Sequence, residues 1–207
     1  MTYFIRAFVC LLAVVGNAVA SGSDQSQALL DMVKSRDKAI QDIVRSETNG
    51  ETPKERAKLK TIVGGLFDFK ALSELSLGRS WAERTDEEQK AFIDLNRRLI
   101  EKNYDDPKLY TKAEKIEYAG VELDGKDALV KTVVHYKTEE SNIDYQMHQV
   151  GDKWLIYDMI VDDLSIGKSN RSQFRREMRK SSFEGLMEKL RKKLDADASG
   201  EKGASSS

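Results

Sequence analysis

Apolar residues recur at helical spacing through the first half of the chain and at a period of two further on, and this change of period separates a helical part from a sheet part. From Ser23 to Glu47, Leu29, Val33, Ile40, Ile43 and Val44 fall at helical spacing, and Asn49-Gly50 ends the pattern. Thr52-Pro53-Lys54-Glu55 has the form of a capping box with proline at the first helical position, so a second helix is predicted to run to Val63 and stop at Gly64-Gly65. Asp68 caps a predicted short helix over Phe69 to Leu77, which Gly78 breaks ahead of Trp81. Thr85-Asp86-Glu87-Glu88 is a further capping box, opening a helix in which Phe92, Leu95 and Leu99 share a face. The chain is therefore predicted to be helical up to Tyr104.

After Tyr110 the alternation predicts strands at about Ala113 to Leu123, Ala128 to Thr138, Asn142 to Val150 and Lys153 to Val161. Asp124-Gly125 and Gly151-Asp152 fall between runs as hairpin signals, so the strands form an antiparallel meander. Ile143, Tyr145 and Met147 face one way. In the last strand Trp154 and Ile156 alternate with Tyr157 and Met159, which makes it apolar on both faces and predicts a central or covered strand. A final helix over about Asn170 to Leu194 carries Phe174, Met178, Phe183, Leu186, Met187 and Leu190 toward that sheet, and Asp195 to Ser207 is small, polar and predicted disordered. The fold class is α+β, with N-terminal helices and a C-terminal helix packed on a curved antiparallel sheet of about four strands, an arrangement that can enclose an apolar cavity.

The first twenty residues bear on compartment. Arg6 gives a positive start, Ala7 to Gly16 is almost wholly apolar, and Ala18-Val19-Ala20 is a small-residue cleavage site, which together predict a secretory signal peptide over 1–20 and one domain over 21–194. The apolar run is shorter than the roughly 20 residues of a membrane span. Cys10 is the single cysteine and leaves with the leader, so the mature domain is expected to hold no thiol, no disulfide and no thiolate metal ligand. Its stability then rests on packing.

A formal net charge of −1 over 207 residues excludes a generally basic nucleic-acid binder. The charge is uneven, however: ten basic residues against three acidic ones lie between Lys168 and Lys193, which gives the last helix a strongly positive face. The sequence carries little that suggests catalytic chemistry. His135 and His148 are the only histidines, each in a predicted strand and neither in an H-x-x-E or H-E-x-x-H spacing, so no metal site is expected. Gly64-Gly65 is followed by no G-K-[ST], no G-x-S-x-G elbow occurs, and the adjacent acids Glu139-Glu140 and Asp162-Asp163 are read as turn residues. No cofactor is implied.

The stretch Trp154 to Phe174, WLIYDMIVDDLSIGKSNRSQF, runs an amphipathic strand through an Asp-Asp turn into an Arg-rich helix. In wording and order it resembles the signature of the MlaC-type phospholipid-binding proteins, the toluene-tolerance family of periplasmic lipid carriers that work with an ABC transporter. The resemblance extends through FDFKALSELSLGRSWAERTDEEQKAF at Phe67 to Phe92 and through Tyr104 to Tyr110. Asp163, where the family commonly has Gly, and Asn170, where an aromatic often precedes the Arg, depart from its pattern. The resemblance implies a periplasmic protein that shuttles phospholipid between an ATP-driven inner-membrane complex with its membrane-anchored lipid-binding subunit and an outer-membrane lipoprotein complex, maintaining outer-membrane lipid asymmetry.

Acyl chains set the physical demand on such a protein. At about 0.8 kcal/mol per buried CH₂, two ordinary chains represent on the order of 20 kcal/mol of apolar transfer, which calls for a deep slot. Pattern nominates Leu72, Leu75, Trp81, Phe92, Tyr104, Tyr145, Met147, Trp154, Tyr157 and Met159 as its lining, each of which would serve equally as packing core. Arg171 is the one basic position carried over from the family as a phosphate contact; it and the cations after it would also suit an acidic partner, transient contact with an anionic membrane, or plain solvation. Asp158 has two readings, a structural hydrogen-bond acceptor or the buried base of a pocket enzyme. Three alternatives to a phospholipid carrier stay open: a carrier of another lipid such as a hopanoid, an envelope adaptor with a solid core, and that enzyme.

Overall fold

A computed structural model describes residues 22–198 apart from residue 105, with backbone only for residues 104, 109, 197 and 198. The predicted leader at 1–20 and residues 199–207 of the predicted tail lie outside the described residues. The elements are α1 (Gly22–Val44), α2 (Pro53–Gly64), α3 (Phe69–Leu77), a 3-10 turn (Gly78–Trp81), α4 (Asp86–Tyr104), α5 (Pro107–Thr111), β1 (Ala113–Asp124), β2 (Asp127–Tyr136), β3 (Glu140–Val150), β4 (Lys153–Val161), β5 (Leu164–Ser165) and α6 (Ile166–Ala198).

The capping signals are realised in hydrogen bonds. Thr52 Oγ1 accepts from the Glu55 N–H at 3.2 Å while a Glu55 carboxylate oxygen accepts from the Thr52 N–H at 3.2 Å, and the same carboxylate also takes hydroxyl bonds from Thr48, Thr52 and Ser46. Thr85 and Glu88 repeat the reciprocal pair at the start of α4. Asp68 Oδ1 accepts from the Ala71 N–H at 2.9 Å and so caps α3, and Asp68 Oδ2 meets His148 Nε2 of β3 at 2.9 Å. The segment entering α3 also pairs with the sheet through its backbone, since Asp68 N–H donates to the Ile156 carbonyl and Ile156 N–H to the Leu66 carbonyl. Helix α3 is thereby bound to β4 at its N-cap.

The sheet is a five-stranded antiparallel meander in the order β1-β2-β3-β4-β5. Ala128, Val130, Thr132 and Val134 alternate inward along β2, as period two requires. In β4 the alternation breaks: a register shift beside Gln146/Met147 sets Ile156 opposite Met147 and Met159 opposite Tyr145, and all four join one core. This bulge is why β4 reads as apolar at both parities. Strand β5, which the sequence pattern did not predict, returns through Asp162 and Asp163 at φ 47° and 67°, a two-residue hairpin that places an acidic residue in the left-handed region at each position.

Two separate apolar cores follow. The first joins Leu29, Ile40 and Val44 of α1, Leu59 and Val63 of α2 and Leu72 of α3 to the inner face of the sheet. The second joins Leu77, Trp81, Phe92, Leu95 and Leu99 to Phe183, Leu186, Met187, Leu190 and Leu194 of α6. The apolar face of α6 was expected on the sheet and lies on α3 and α4 instead, Phe174 and Met178 included. A break inside α6 at Ser182, with φ of 84° and ψ of 177°, divides the helix into two arms, 166–181 and 183–198, and both arms pack on that second core. The expected helix of Asn170 to Leu194 is thus four residues longer at each end, and bent.

Glu55 provides a pH test of the α1–α2 corner. Its carboxyl is lowered to about 2 from the ordinary 4.5, first by the Thr48 hydroxyl and then by those of Thr52 and Ser46. A depressed folded-state value means the stabilisation is complete above the ordinary carboxylate range and is lost as pH falls through about 2. Urea midpoints for Glu55→Gln should lie below those of the parent protein at about pH 6 and converge with them toward pH 2, because the protonated acid then resembles the amide. A gap that stays constant across this range would contradict the account.

Candidate functional site

The two cores do not meet everywhere, and the gap between them is a cavity of about 490 Å³. Its walls come from both: Phe67, Leu72 and Met159 from the sheet side, Leu99 and Ile100 from α4, Phe174 from the first arm of α6, and Leu186 and Leu190 from the second. Ile166 stands where α6 begins. The volume lies within the ~300–1,000 Å³ usual for ligand pockets. Asn96, Asn103, Asn170, Gln173, Glu177, Lys189 and Lys193 add polar groups to the lining.

Helix α6 frames this space because of how it starts and how it bends. It starts from Asp158, which is fully buried; one carboxylate oxygen accepts from the Met159 and Gly167 N–H groups, both at 2.9 Å, and the other from the Ser165 hydroxyl. Ser165 Oγ in turn accepts from the Lys168 N–H at 3.0 Å. Gly167 is required by contact, since a Cβ there would lie 2.4 Å from Leu75 Cδ2 and 3.2 Å from the Asp158 carboxylate. Helix α6 therefore leaves the sheet pressed against α3.

The bend is built around Phe92. Its ring meets Phe174 of the first arm edge-on at 5.9 Å and Phe183 of the second at 6.3 Å, so one buried aromatic packs against both sides of the break. Ser182 caps the second arm, its Oγ accepting from the Gly185 N–H at 3.5 Å, and the Arg84 guanidinium lies 5.0 Å from the Phe183 ring centre. Across the bend, Lys189 Nζ donates to Glu177 Oε2 at 2.5 Å. In a straight helix these residues would be about 18 Å apart along the axis. That bond holds the Glu177 carboxyl below its ordinary range.

Of the residues nominated from sequence, Leu72 and Met159 line the cavity. Trp81 and Phe92 are buried in the second core, Met147 in the first, and Tyr145 and Trp154 pack against the first from partly exposed positions. The Tyr157 ring meets that of His148 at a tilt with centroids 5.1 Å apart, Leu75 packs on Gly167, and the side chain of Tyr104 lies outside the described residues. Arg171 is exposed and lies across Gly78, where an added Cβ would be 2.4 Å from its Cδ; it is not among the lining residues. Sequence reasoning missed Leu99, Ile100, Leu186 and Leu190 as lining, and the Glu177–Lys189 pair. The Ser181-Ser182-Phe183-Glu184 run, an N-cap signal in the middle of a helical pattern, was the clue to the bend.

Among the described residues no group of three or more His, Cys, Asp or Glu side chains is arranged to hold a metal, and no helix is long and apolar enough to cross a membrane. The family model described as MlaC protein matches residues 34–192. No curated protein matches the sequence. Among solved structures, the chain is similar to a phospholipid-binding protein from Ralstonia solanacearum, determined in complex with a phospholipid, with a TM-score of 0.70 and 19% identity over 81% of this chain and 97% of that one.

The Asp158 junction predicts an ordered pair of stability losses. Asp158→Ala strands two buried backbone donors and should lower the unfolding free energy by about 3 kcal/mol or more, whereas Ser165→Ala leaves both paired and should lower it by about 1 kcal/mol. Chemical denaturation distinguishes them, and equal small losses would show that the carboxylate is not the anchor.

Proposed function

The chain belongs to the MlaC family, and from that premise we propose that it binds phospholipid acyl chains in the cavity between its two cores and carries them through the periplasm. The observation that carries this reading is the cavity, about 490 Å³ with apolar walls drawn from both cores and polar side chains from α4 and both arms of α6. Walls of Leu, Ile, Phe and Met offer acyl chains a medium like the bilayer interior, so transfer between membrane and protein exchanges one apolar environment for another. The polar side chains suit a head group that stays near water. A solid-cored adaptor would have no need of such a gap. The pocket-enzyme alternative relied on Asp158, which is sealed from solvent, has its oxygens engaged by Met159, Ser165 and Gly167, and is absent from the cavity lining.

Direction comes from partners under this proposal, because the exchange itself is nearly neutral. The partners proposed are an inner-membrane ABC transporter complex with its anchored lipid-binding subunit and an outer-membrane lipoprotein complex. Lys168, Arg171, Arg175 and Arg179 are exposed along the first arm of α6 at spacings of three and four, next to Leu164, which is 70% exposed. Each such cation near an anionic leaflet contributes about 1 kcal/mol, which supports brief contact with the membrane surface beside the cavity.

A variant that fills the space without touching the anchors tests the carrier reading. Ile100→Trp places an indole where a chain would lie, and uptake of labelled phospholipid from vesicles should fall at least about tenfold while the far-ultraviolet circular dichroism stays that of the parent protein. Undiminished uptake by a folded variant would place the lipid elsewhere.

A further inference from the structure

The charged side chains lining the cavity are Glu177, Lys189 and Lys193, and their arrangement is unusual for a helix surface. Most ion pairs on these helices join residues three or four apart, as Lys192 and Glu188 do. Glu177 and Lys189 instead belong to opposite arms of α6 and meet only because the helix breaks at Ser182. Each arm also contributes apolar wall, Phe174 from the first and Leu186 and Leu190 from the second. The pair is thus a bond between two walls of one cavity.

We propose that Lys189 and Lys193 form an anion subsite at this cavity, which takes the phosphate of a bound phospholipid by displacing the Glu177 carboxylate from Lys189, so that loading of lipid releases the two arms of α6 from each other. This rests on the carrier reading above and adds the head-group chemistry to it.

Glu177 marks the subsite by already placing an anion there, with Lys189 Nζ 2.5 Å from its Oε2. Lys189 and Lys193 lie one helical turn apart on the same arm and both line the cavity, so a single anion between them can accept from both. Two ammonium groups against one carboxylate leave the lining with a surplus positive charge, which a phosphate would balance. A phosphate offers more acceptor oxygens than a carboxylate, and the side-chain amides of Asn170 and Gln173, also in the lining, can donate to those that the lysines leave free. Among the described residues the Glu177 carboxylate is hydrogen-bonded to Lys189 and the Ser181 hydroxyl and makes no hydrogen bond to Lys193.

The strength of the bridge suits a contact made and broken in every cycle. The Lys189 side chain is 66% exposed while that of Glu177 is 23% exposed, so solvent and a competing anion reach the ammonium end of the pair. Competition at one cation is reciprocal: whatever favours the bridge opposes phosphate, and removing Glu177 must favour phosphate by the same coupling. Ser182, at φ 84°, is the point about which the released arms can turn. An empty carrier closed by its own carboxylate and a loaded one held open by its cargo follow from that exchange.

The experiment uses the full mature protein and vesicles containing phosphatidylglycerol and diacylglycerol with the same acyl chains in equal amounts, the bound lipid being extracted and quantified. The parent protein should take phosphatidylglycerol in preference, Lys189→Gln and Lys193→Gln should each reduce that preference about tenfold, and Glu177→Gln should raise it. Both lysines are exposed, so their variants are expected to fold, and matching thermal midpoints confirm it. Lipid uptake with the same head-group preference in all four proteins would overturn the subsite and leave the carrier reading standing. A parent protein that takes neither lipid overturns both. Inorganic phosphate titrated alone should bind negligibly by calorimetry; tight binding without acyl chains would assign the lysines to free phosphate and overturn the lipid exchange.

Discussion

The Asp158 carboxylate, fully buried, accepts hydrogen bonds from the Met159 and Gly167 backbones and the Ser165 hydroxyl, and by doing so fixes where and in what direction α6 departs from β4. Leaving any of these donors unpaired in the interior costs about 1–3 kcal/mol, so the junction tolerates little rearrangement. Gly167 then allows Leu75 to come closer than any side chain would permit, which sets α6 against α3. With that start fixed, the first arm runs against α3 and brings Phe174 to Phe92 of α4, and beyond the break at Ser182 the second arm packs on α4 as well.

The cavity follows from this route. A helix that ran straight from Asp158 would leave Leu186 and Leu190 without the partners they have in Leu95 and Leu99. Bent around Phe92, α6 completes a second core but leaves unfilled the space between that core and the one under the sheet. Interiors normally close such gaps, because wall atoms facing empty space lose their dispersion contacts. Here the gap is retained between apolar walls, and the two arms of α6 that border it are joined by the Glu177–Lys189 bond.

Much of the fold was legible in the sequence because its signals are local. Thr52-Pro53-Lys54-Glu55, Thr85 with Glu88, Asp68 and the glycine turns each specify hydrogen bonds within a few residues, and all are found where the spacing placed them. The α+β class followed from the change of period. What escaped depends on distant partners. Tyr157 falls beside a bulge whose register is set by β3, so no pattern within β4 could assign Met159 to the inner face. Trp81 and Phe92 are large, apolar and buried, which is all that sequence can say; that they fill a core while Leu99 and Ile100 border a void depends on the bend in α6. Glu177 and Lys189, twelve residues apart, looked like members of a charged helix surface until the backbone at Ser182 brought them together.

On the carrier proposal, lipid occupies the gap between the cores in the working protein. The decisive measurement is native mass spectrometry of the protein purified from a bacterial periplasm, with extraction and identification of whatever is bound. A stoichiometric diacyl phospholipid is the predicted result. Protein that arrives empty and takes up no lipid when offered vesicles would contradict it.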